Sequence, residues 1–339
     1  MGMFIILRKI LFPVAILYAI VMYIRNWCYD LGFFKSQSFH APLIAVGNLS
    51  AGGTGKSPQI EYLIRLLSPS YKLATLSRGY KRSTTGFVLA DANANAKTLG
   101  DEPFQFYTKF PKITVAVDEN RVEGVSLLLD LDYKPEVVLL DDAHQHRKVK
   151  AGFYILLTAY DDLFCDDYIL PFGNLREPRC GKNRADVIVV TKCPVAIDPN
   201  KQAQIKKKLH VSQPVYFSSI SYDSYAYNEM GKILVSELIL KEKIIVAGIA
   251  KPQPFFDFLE AQPKETIIFS DHHNFDSKDI TAILYKAQGN IILTTEKDYM
   301  RLKGLLPIEQ LYYLPIQTQF LGSAKDFDTS VLKFIRTFK

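Results

Sequence analysis

The chain has few cysteines and none in a metal-binding or redox spacing. Four cysteines occur among 339 residues, and no two of them form a C-x-x-C pair. The sequence therefore gives no indication of a zinc site or a disulfide framework, and a reducing compartment is the simpler interpretation. It also lacks internal repeats and low-complexity tracts, so neither a repeat architecture nor a disordered tail is expected.

No long basic block and no nucleic-acid-binding motif is present. The net charge of +6 favours anionic partners such as phospholipid surfaces or phosphorylated substrates. The densest basic run, three lysines at 206–208, is typical of a solvated helix face. We therefore expect no nucleic-acid partner, and nothing indicates an obligatory protein partner. An apolar content of 48% over this length indicates a globular protein large enough for two domains.

No cleavage site follows the apolar segment near the N-terminus. Residues 10–24 carry no charge and have basic residues on both sides; as a helix they span roughly 22 Å, less than a full crossing requires. Trp27 and Tyr29 suit the headgroup boundary of a bilayer. We predict a membrane-associated helix over 1–28, with a buried core helix as the alternative. Removal of 1–25 is then expected to weaken membrane association and to leave the nucleotide site intact.

Apolar runs that alternate with helical stretches predict an α/β fold. Predicted strands cover residues 43–46, 72–76, 113–117, 137–140, 154–157 and 187–191, and then 244–247, 266–269 and 291–294. Helices are predicted at 254–260 and 277–287 in the second set. Strands alternating with helices in this way favour parallel sheets covered on both faces.

The most specific motif is LIAVGNLSAGGTGKSP at residues 43–58. An apolar strand leads into a glycine-rich loop whose backbone N–H groups can surround phosphate oxygens. Lys56 is placed to reach the β- and γ-phosphates, Ser57 to bind Mg²⁺, and the helix N-terminus to add its dipole. Ser50 replaces the first glycine of the G-x-x-x-x-G-K-[ST] pattern. The predicted nucleotide-binding residues are Gly52, Gly53, Thr54, Gly55, Lys56 and Ser57.

Two further segments place carboxylates at the ends of predicted elements. Asp141 and Asp142 follow an apolar strand, where carboxylates face the ligand crevice of an open α/β sheet and can hold Mg²⁺. Asp101 precedes Pro103, so it is either a helix cap or a functional carboxylate. His144 is assigned no role, because contact with substrate and contact with solvent both remain open.

Histidines and arginines in loops add weaker candidates. His272 and His273 are adjacent and cannot both face one ion on a helix, so a single histidine near a carboxylate is favoured over a zinc pair, with a polar loop as the alternative. Arginines beside glycine or proline suit bidentate recognition of phosphate. The candidate substrate-binding residues are Arg78, Arg121, Arg176 and Glu177.

Composition also predicts how the chain is divided. The segments 215–227 and 311–318 are better suited to extended structure than to helix, and we predict that they pair as a two-stranded linker. A phosphate-loop nucleotide-binding domain would then cover 29–214 and a smaller α/β domain 228–310. Residues 319–339 are predicted as a helix that returns to the first domain.

Taken together, the motifs resemble those of one enzyme family. VGNLSAGGTGKSP, LSRGYKR, GDEP, LLDDAHQHR, GNLREP, AGIAKP, DHHNF and TEKD occur in the order and at about the spacing of the tetraacyldisaccharide 4′-kinases of Gram-negative bacteria, the lipid A 4′-kinases. The resemblance extends from the N-terminal helix to about residue 298. It implies two α/β/α sandwich domains, Rossmann-like and built around a P-loop, joined by a two-stranded linker.

The resemblance also implies a reaction and roles for residues. It implies transfer of the γ-phosphate of ATP, with Mg²⁺, to the 4′-hydroxyl of a tetraacylated glucosamine disaccharide 1-phosphate at the cytoplasmic face of the inner (plasma) membrane. Asp101 would be the catalytic base, paired with His272, and Lys56 would contact the phosphates. Asp141 and Asp142 would lie near Mg²⁺. Because Asp101 and His272 belong to different predicted domains, domain closure would bring them together.

Two other kinds of function remain open from the sequence. One is another membrane-associated P-loop NTPase or switch, such as a GTPase-like metallochaperone. The strand at 187–190 is followed by Thr-Lys-Cys-Pro and lacks the N-K-x-D motif that recognises guanine, which argues against GTP. The other is a non-enzymatic scaffold that senses nucleotide. The fate of the γ-phosphate distinguishes the three.

Overall fold

The computed structural model describes residues 11–271, 273–322 and 324–338. Its strands are β1 (Leu43–Asn48), β2 (Leu73–Ser77), β3 (Val88–Leu89), β4 (Thr114–Val117), β5 (Val137–Asp141), β6 (Phe153–Ala159), β7 (Val187–Thr191), β8 (Val215–Tyr222), β9 (Tyr225–Tyr227), β10 (Lys232–Leu234), β11 (Lys243–Ala247), β12 (Thr266–Ile268), β13 (Ile291–Thr295), β14 (Leu311–Leu314) and β15 (Ile316–Phe320). Its helices are α1 (Phe12–Asp30), α2 (Lys56–Leu67), α3 (Ala96–Leu99), α4 (Asp101–Lys109), α5 (Arg121–Leu129), α6 (Pro199–Leu209), α7 (Val235–Ile239), α8 (Gln253–Phe258), α9 (Ser277–Ala287), α10 (Glu296–Leu302) and α11 (Ala324–Thr337), with 3₁₀ turns at Arg179–Arg184 and Pro263–Glu265.

The larger sheet has nine strands in the order β15-β8-β7-β6-β1-β5-β2-β4-β3. Its strands are parallel except at the two edges, where β15 and β3 run antiparallel to their neighbours. Strand β1 lies in the middle, between β5 and β6, and Val46 of β1 is in register with Asp141 of β5. The loop after β1 therefore leaves the sheet beside the carboxylates that follow β5, and the predicted α/β fold with parallel sheets is confirmed.

The central strands are buried on both faces. Every residue of β1, β2, β5 and β7 is buried, as expected for parallel strands with helices on both sides. Because side chains alternate along a strand, Val46 belongs to the cluster that contains Ile60 and Phe106. Its neighbour Ala45 belongs to the cluster that contains Val125. Packing on both faces fixes the register of β1 and so the position of the loop that follows it.

The smaller sheet has six strands in the order β10-β9-β14-β13-β11-β12. Its four strands β12, β11, β13 and β14 are parallel, while β9 and β10 are antiparallel additions. The segments predicted as a linker each contribute one strand to each sheet: 215–227 contains β8 and β9, and 311–318 overlaps β14 and β15. The chain passes between the sheets where the Asp223 N–H donates to the Pro315 carbonyl at 3.0 Å.

The first and last described helices differ in how much of their surface is buried. Helix α11 packs into the core of the larger sheet through Phe327 and Val331. Helix α1 is long and apolar enough to cross a membrane, and most of it is exposed. Its buried residues are Ala15 and Asn26, so the alternative of a buried core helix is wrong.

Candidate active site

The phosphate loop connects β1 to α2 at the carboxyl edge of the larger sheet. Helix α2 begins at Lys56, and Gly55 before it has a φ of 84°, a conformation that L side chains rarely adopt. The Thr191 hydroxyl donates to the Thr54 carbonyl at 2.7 Å and fixes the loop from β7. Ser50 is not among the described residues with positive φ, so serine fits where the common pattern has glycine.

A second loop, residues 174–176, braces the phosphate loop. The Ala51 N–H donates to the Asn174 carbonyl at 2.6 Å, and the Arg176 N–H donates to the Leu49 carbonyl at 2.7 Å. The Arg176 guanidinium also donates to the Asn48 side-chain oxygen at the end of β1. The Arg176 segment is therefore part of the phosphate-loop framework, which the sequence pattern alone did not indicate.

Asp142 is held between two cations at the mouth of this loop. The Arg176 guanidinium donates to both carboxylate oxygens, at 3.0 and 2.8 Å, and Lys56 Nζ lies 3.7 Å from Asp142 Oδ1. Burial raises the pKa of Asp142, but the Arg176 hydrogen bonds and the Lys56 charge outweigh it and lower the pKa to about 2. Asp142 has a φ of 47°, an uncommon conformation for a non-glycine residue that often marks functional sites.

Asp141 points inward from the end of β5. Its Oδ2 accepts a hydrogen bond from Ser77 at 3.2 Å, and its backbone carbonyl accepts one from Arg121 at 3.1 Å. Its Oδ1 has no partner among the residues that the structure describes. Burial raises the pKa of Asp141, and the charges of Glu102 and Asp142 raise it further. A buried carboxylate oxygen without a partner is costly, so this position favours a cation.

Glu102 joins the site from α4, although no local sequence pattern distinguishes it. Its Oε1 accepts hydrogen bonds from Ser57 Oγ at 2.5 Å and from Lys297 Nζ at 2.9 Å. Burial raises the pKa of Glu102, but the Lys297 charge and the Ser57 hydroxyl outweigh it, so the net pKa is lowered. Lys297 thus places a positive charge beside the hydroxyl that P-loop proteins use for Mg²⁺.

The oxygen donors here suit a hard divalent cation. Ser57, Glu102 and Asp141 supply a hydroxyl and carboxylates, the donors that Mg²⁺ prefers. Within the part of the chain that the structure describes, no three His, Cys, Asp or Glu side chains form a complete metal site. Mg²⁺ is commonly held by one or two carboxylates together with water and nucleotide phosphates.

Asp101 lies at the start of α4, facing the smaller sheet. The N-cap of α4 is Gly100, and no side chain in the described part of the protein caps the helix, so the helix-cap interpretation of Asp101 is wrong. Instead, Asp101 Oδ2 accepts hydrogen bonds from Arg301 Nε at 3.0 Å and Nη2 at 2.5 Å. The predicted partner His272 lies outside the described residues. Its neighbour His273 pairs with Asp279 at 2.7 Å.

Helix α10 brings the smaller sheet to this site. It carries Lys297 and Arg301, and Glu296 at its start accepts a hydrogen bond from Lys109 at 2.6 Å. Three ion pairs therefore join α10 to α4. The TEKD motif holds two of these residues, but their partners lie almost 200 positions earlier, so no local pattern identifies the pairs.

The remaining predicted site residues have different surroundings. Arg78 is exposed. Arg121 is 1% exposed, with donors on the backbone carbonyls of Asp118 and Asp141. Glu177 is fully buried. The structure thus places Arg121 and Glu177 inside the protein, where they support their neighbours.

His144 is buried away from solvent. It is 2% exposed, and its Nε2 lies 3.0 Å from the Gly181 carbonyl. Burial and the Arg184 charge lower its pKa to about 4. Of the two contacts left open by the sequence, this burial excludes the contact with solvent.

A phosphate loop at the end of a central parallel strand, with carboxylates on the adjacent strand, defines a P-loop nucleotide-binding α/β protein. The family model described as LpxK, tetraacyldisaccharide-1-P 4′-kinase, matches residues 7–336, so the chain belongs to this family.

Individual relatives agree with this assignment. The chain is 58% identical over 333 residues to the tetraacyldisaccharide 4′-kinase of Flavobacterium johnsoniae, covering 98% of each chain. It is 43% identical over 361 residues to that of Bacteroides thetaiotaomicron, covering 98% of this chain and 94% of the relative. A crystal structure of LpxK from Aquifex aeolicus in complex with ATP matches with a TM-score of 0.81 and 29% identity, covering 97% of this chain and 99% of that one. The family resemblance inferred from the motifs is confirmed.

Proposed function

We propose that this protein is an ATP-dependent kinase that phosphorylates the 4′-hydroxyl of a tetraacylated glucosamine disaccharide 1-phosphate in lipid A biosynthesis. The observation that carries the proposal is the convergence of Lys56 and Ser57, at the start of α2, with Asp142 and Glu102 from neighbouring elements. Phosphoryl transfer requires mainly in-line positioning and stabilisation of charge. Family membership supplies the identity of the acceptor.

The phosphate loop and α2 bind the phosphates of ATP in this proposal. The backbone N–H groups of residues 52–55 and the N-terminal dipole of α2 face the β- and γ-phosphates, and Lys56 adds a point charge. Arg176 and Asp142 hold Lys56 in place, since Asp142 contacts both cations. Thr191, the last residue of β7, donates to the Thr54 carbonyl of the loop, and Lys192, which follows it, donates to the Gly53 carbonyl.

Asp101 accepts the proton of the acceptor hydroxyl in this proposal. A carboxylate at the start of α4 faces the crevice between the two sheets, and Arg301 fixes its orientation with two hydrogen bonds. A positioned base contributes about 10²–10⁴-fold to a proton transfer. We assign His272 as its partner from the family resemblance, and the nearby position of α10 is consistent with a contribution from the smaller domain.

We propose that Ser57, Glu102 and Asp141 hold Mg²⁺. When bound, Mg²⁺ neutralises charge on the β- and γ-phosphates. Asp142, predicted as a further ligand, has both oxygens hydrogen-bonded to Arg176, so we assign it mainly to holding the two cations.

The membrane location and the division into domains are also proposals. The exposed apolar surface of α1 suits the inner membrane, and the supply of ATP places the enzyme body on the cytoplasmic side. The acyl chains then stay in the bilayer while the sugar enters the crevice. We propose a nucleotide-binding domain at 29–214 and a smaller domain at 228–310, connected by the strands that link the sheets.

One assay tests the function. Purified protein is incubated with γ-labelled ATP, Mg²⁺ and the disaccharide 1-phosphate in detergent, and the label is followed. We expect label in the lipid, on the 4′-oxygen. Label released only as inorganic phosphate would indicate an NTPase or switch, and no release would indicate a nucleotide-sensing scaffold. Either outcome contradicts the proposal.

A further inference from the structure

Helix α1 buries a polar side chain, although the helix is mainly apolar. Asn26 is 6% exposed, while the apolar residues around it, such as Ile24 and Trp27, are more than half exposed. Burial of an amide is unfavourable unless it is hydrogen-bonded. The Asn26 Nδ2 group donates to Glu177 Oε2 at 3.3 Å. The helix therefore contacts the body of the protein through a specific polar interaction.

The partner of Asn26 is the centre of a buried hydrogen-bond network. The Glu177 carboxylate accepts two hydrogen bonds from Arg184, at 2.8 and 2.7 Å, and one from Gln145 at 2.8 Å. A Cβ atom on Gly181 would lie 2.8 Å from this carboxylate, so the site is tightly packed. Gln145 also donates to the Asn48 carbonyl at the end of β1 at 2.8 Å. The Glu177 carboxylate is thus held by several hydrogen-bond donors, and α1 supplies one of them.

The residue before Glu177 is the arginine that contacts Asp142. Helix α1 also holds this residue, because the Tyr18 hydroxyl donates to the Arg176 carbonyl at 2.8 Å. Two side chains of α1, eight positions apart, therefore fix consecutive residues of one loop. That loop is irregular, and its Leu175 forms isolated bridges with Ser50 of the phosphate loop and with Ile169.

We propose that Asn26 and Tyr18 are positioning residues for phosphoryl transfer, which makes α1 part of the active-site framework as well as a membrane anchor. They act through Glu177 and Arg176 on Asp142 and Lys56. A displacement of about 1 Å at a distance from the reacting atoms can lower a rate by about 10²-fold. The inference rests on the proposed role of Arg176 in the kinase reaction.

A reversal of the hydrogen bond tests this coupling. In Asn26→Asp two carboxylates face each other in a buried site, and we expect turnover to fall about 100-fold. In the double variant Asn26→Asp with Glu177→Gln, the new amide nitrogen donates to the new carboxylate. The amide oxygen still accepts from Gln145 and from Arg184, while Arg184 loses the second of its two acceptor oxygens. We expect the double variant to recover at least about tenfold over Asn26→Asp, a coupling that independent sites do not show.

The controls separate positioning from folding and from membrane binding. Val21→Ala alters the exposed face of α1 and is expected to keep wild-type turnover. Turnover with the detergent-solubilised acceptor is divided by the measured number of ATP-binding sites, so unfolded protein does not count. If Asn26→Asp does not fold, Tyr18→Phe and Asn26→Leu replace it, with expected losses of about threefold and tenfold. A KM for ATP within about twofold of wild type is expected throughout.

Two results would overturn the inference while the wild type remains an active kinase. One is wild-type turnover per site in the Asn26 and Tyr18 variants. The other is a double variant whose loss of turnover equals the product of the losses of its two single variants. A wild-type protein that does not label the lipid would instead contradict the proposed function, so the two failures are distinguishable.

Discussion

Arg301 of α10 donates two hydrogen bonds to the carboxylate of Asp101, which lies 200 residues earlier in the chain. The same helix places Lys297 on Glu102, the next residue of α4. Two adjacent carboxylates of the larger unit therefore face two cations of the smaller one. An ion pair loses strength as its partners separate. Whether Asp101 and Glu102 are paired therefore depends on how closely α10 approaches α4.

Replacement of Asp101 should abolish most transfer. In Asp101→Asn the side chain keeps its shape but no longer accepts a proton, and we expect turnover to fall about 10²–10⁴-fold with little change in ATP affinity. Turnover, ATP binding and melting temperature are measured together, with Asp132→Asn as a control at an exposed acid of the same unit. Retained turnover in Asp101→Asn would exclude a catalytic base at this position.

The proposed pairing of Asp101 with His272 makes a separate prediction. We expect His272→Ala to be milder than Asp101→Ala, and the double variant to be little worse than Asp101→Ala alone, because groups that act together are not additive. The comparison requires kcat for all three variants under one condition. Fully multiplicative losses would contradict the pair.

Lys56→Ala should lower turnover about 10²–10³-fold, the usual loss for one preorganised electrostatic group. It also leaves Asp142 with Arg176 as its remaining cationic contact, so part of the loss arises from a shifted carboxylate. Lys72→Ala, at an exposed lysine before β2, serves as the matched control. Near-normal transfer by Lys56→Ala, measured with saturating ATP, would contradict the role of the phosphate loop.

The sequence identified the features of the site that depend on local order. The strand, loop and helix at 43–67 follow from spacing alone, and the predicted helix at 277–287 coincides with α9 (Ser277–Ala287). The Asp pair at the end of β5 was predicted to lie at the ligand crevice because parallel strands present their carboxyl ends at one edge.

Features that depend on tertiary contacts were not predictable. The role of Glu102 depends on its contacts with Ser57 and Lys297, which lie far from it in the sequence. Strand β3 has two residues, too few for an alternating pattern. The Asn26–Glu177 contact joins residues 151 apart, and an asparagine within an apolar helix gives no indication of its partner.

The buried histidine after the Asp pair predicts a loss of stability in acid. Burial lowers the pKa of His144 to about 4 in the folded protein, against about 6.5 in the unfolded chain. The unfolded chain therefore binds more protons below pH 6.5, and stability falls as the pH drops from 6.5 towards 4. Between pH 7 and pH 5 this one group lowers the free energy of unfolding by about 2 kcal/mol. The drop in melting temperature from pH 7 to pH 5 should be smaller for His144→Asn than for the wild type. Equal drops in the two proteins would assign the effect to other groups.

Removal of α1 separates anchoring from positioning. The sequence predicts that loss of residues 1–25 weakens membrane association and leaves the nucleotide site intact. The contact of Tyr18 with Arg176, beside that site, changes this expectation. We now expect deletion of 1–30 to lower turnover about 10–100-fold even with a detergent-solubilised acceptor, because the loop beside Asp142 loses two of its supports. The paired variant Ile20→Ser with Ile24→Ser alters only exposed apolar positions of α1. It should reduce flotation with vesicles and keep turnover in detergent. If the deletion and the paired variant behave alike in both assays, α1 is an anchor and nothing more.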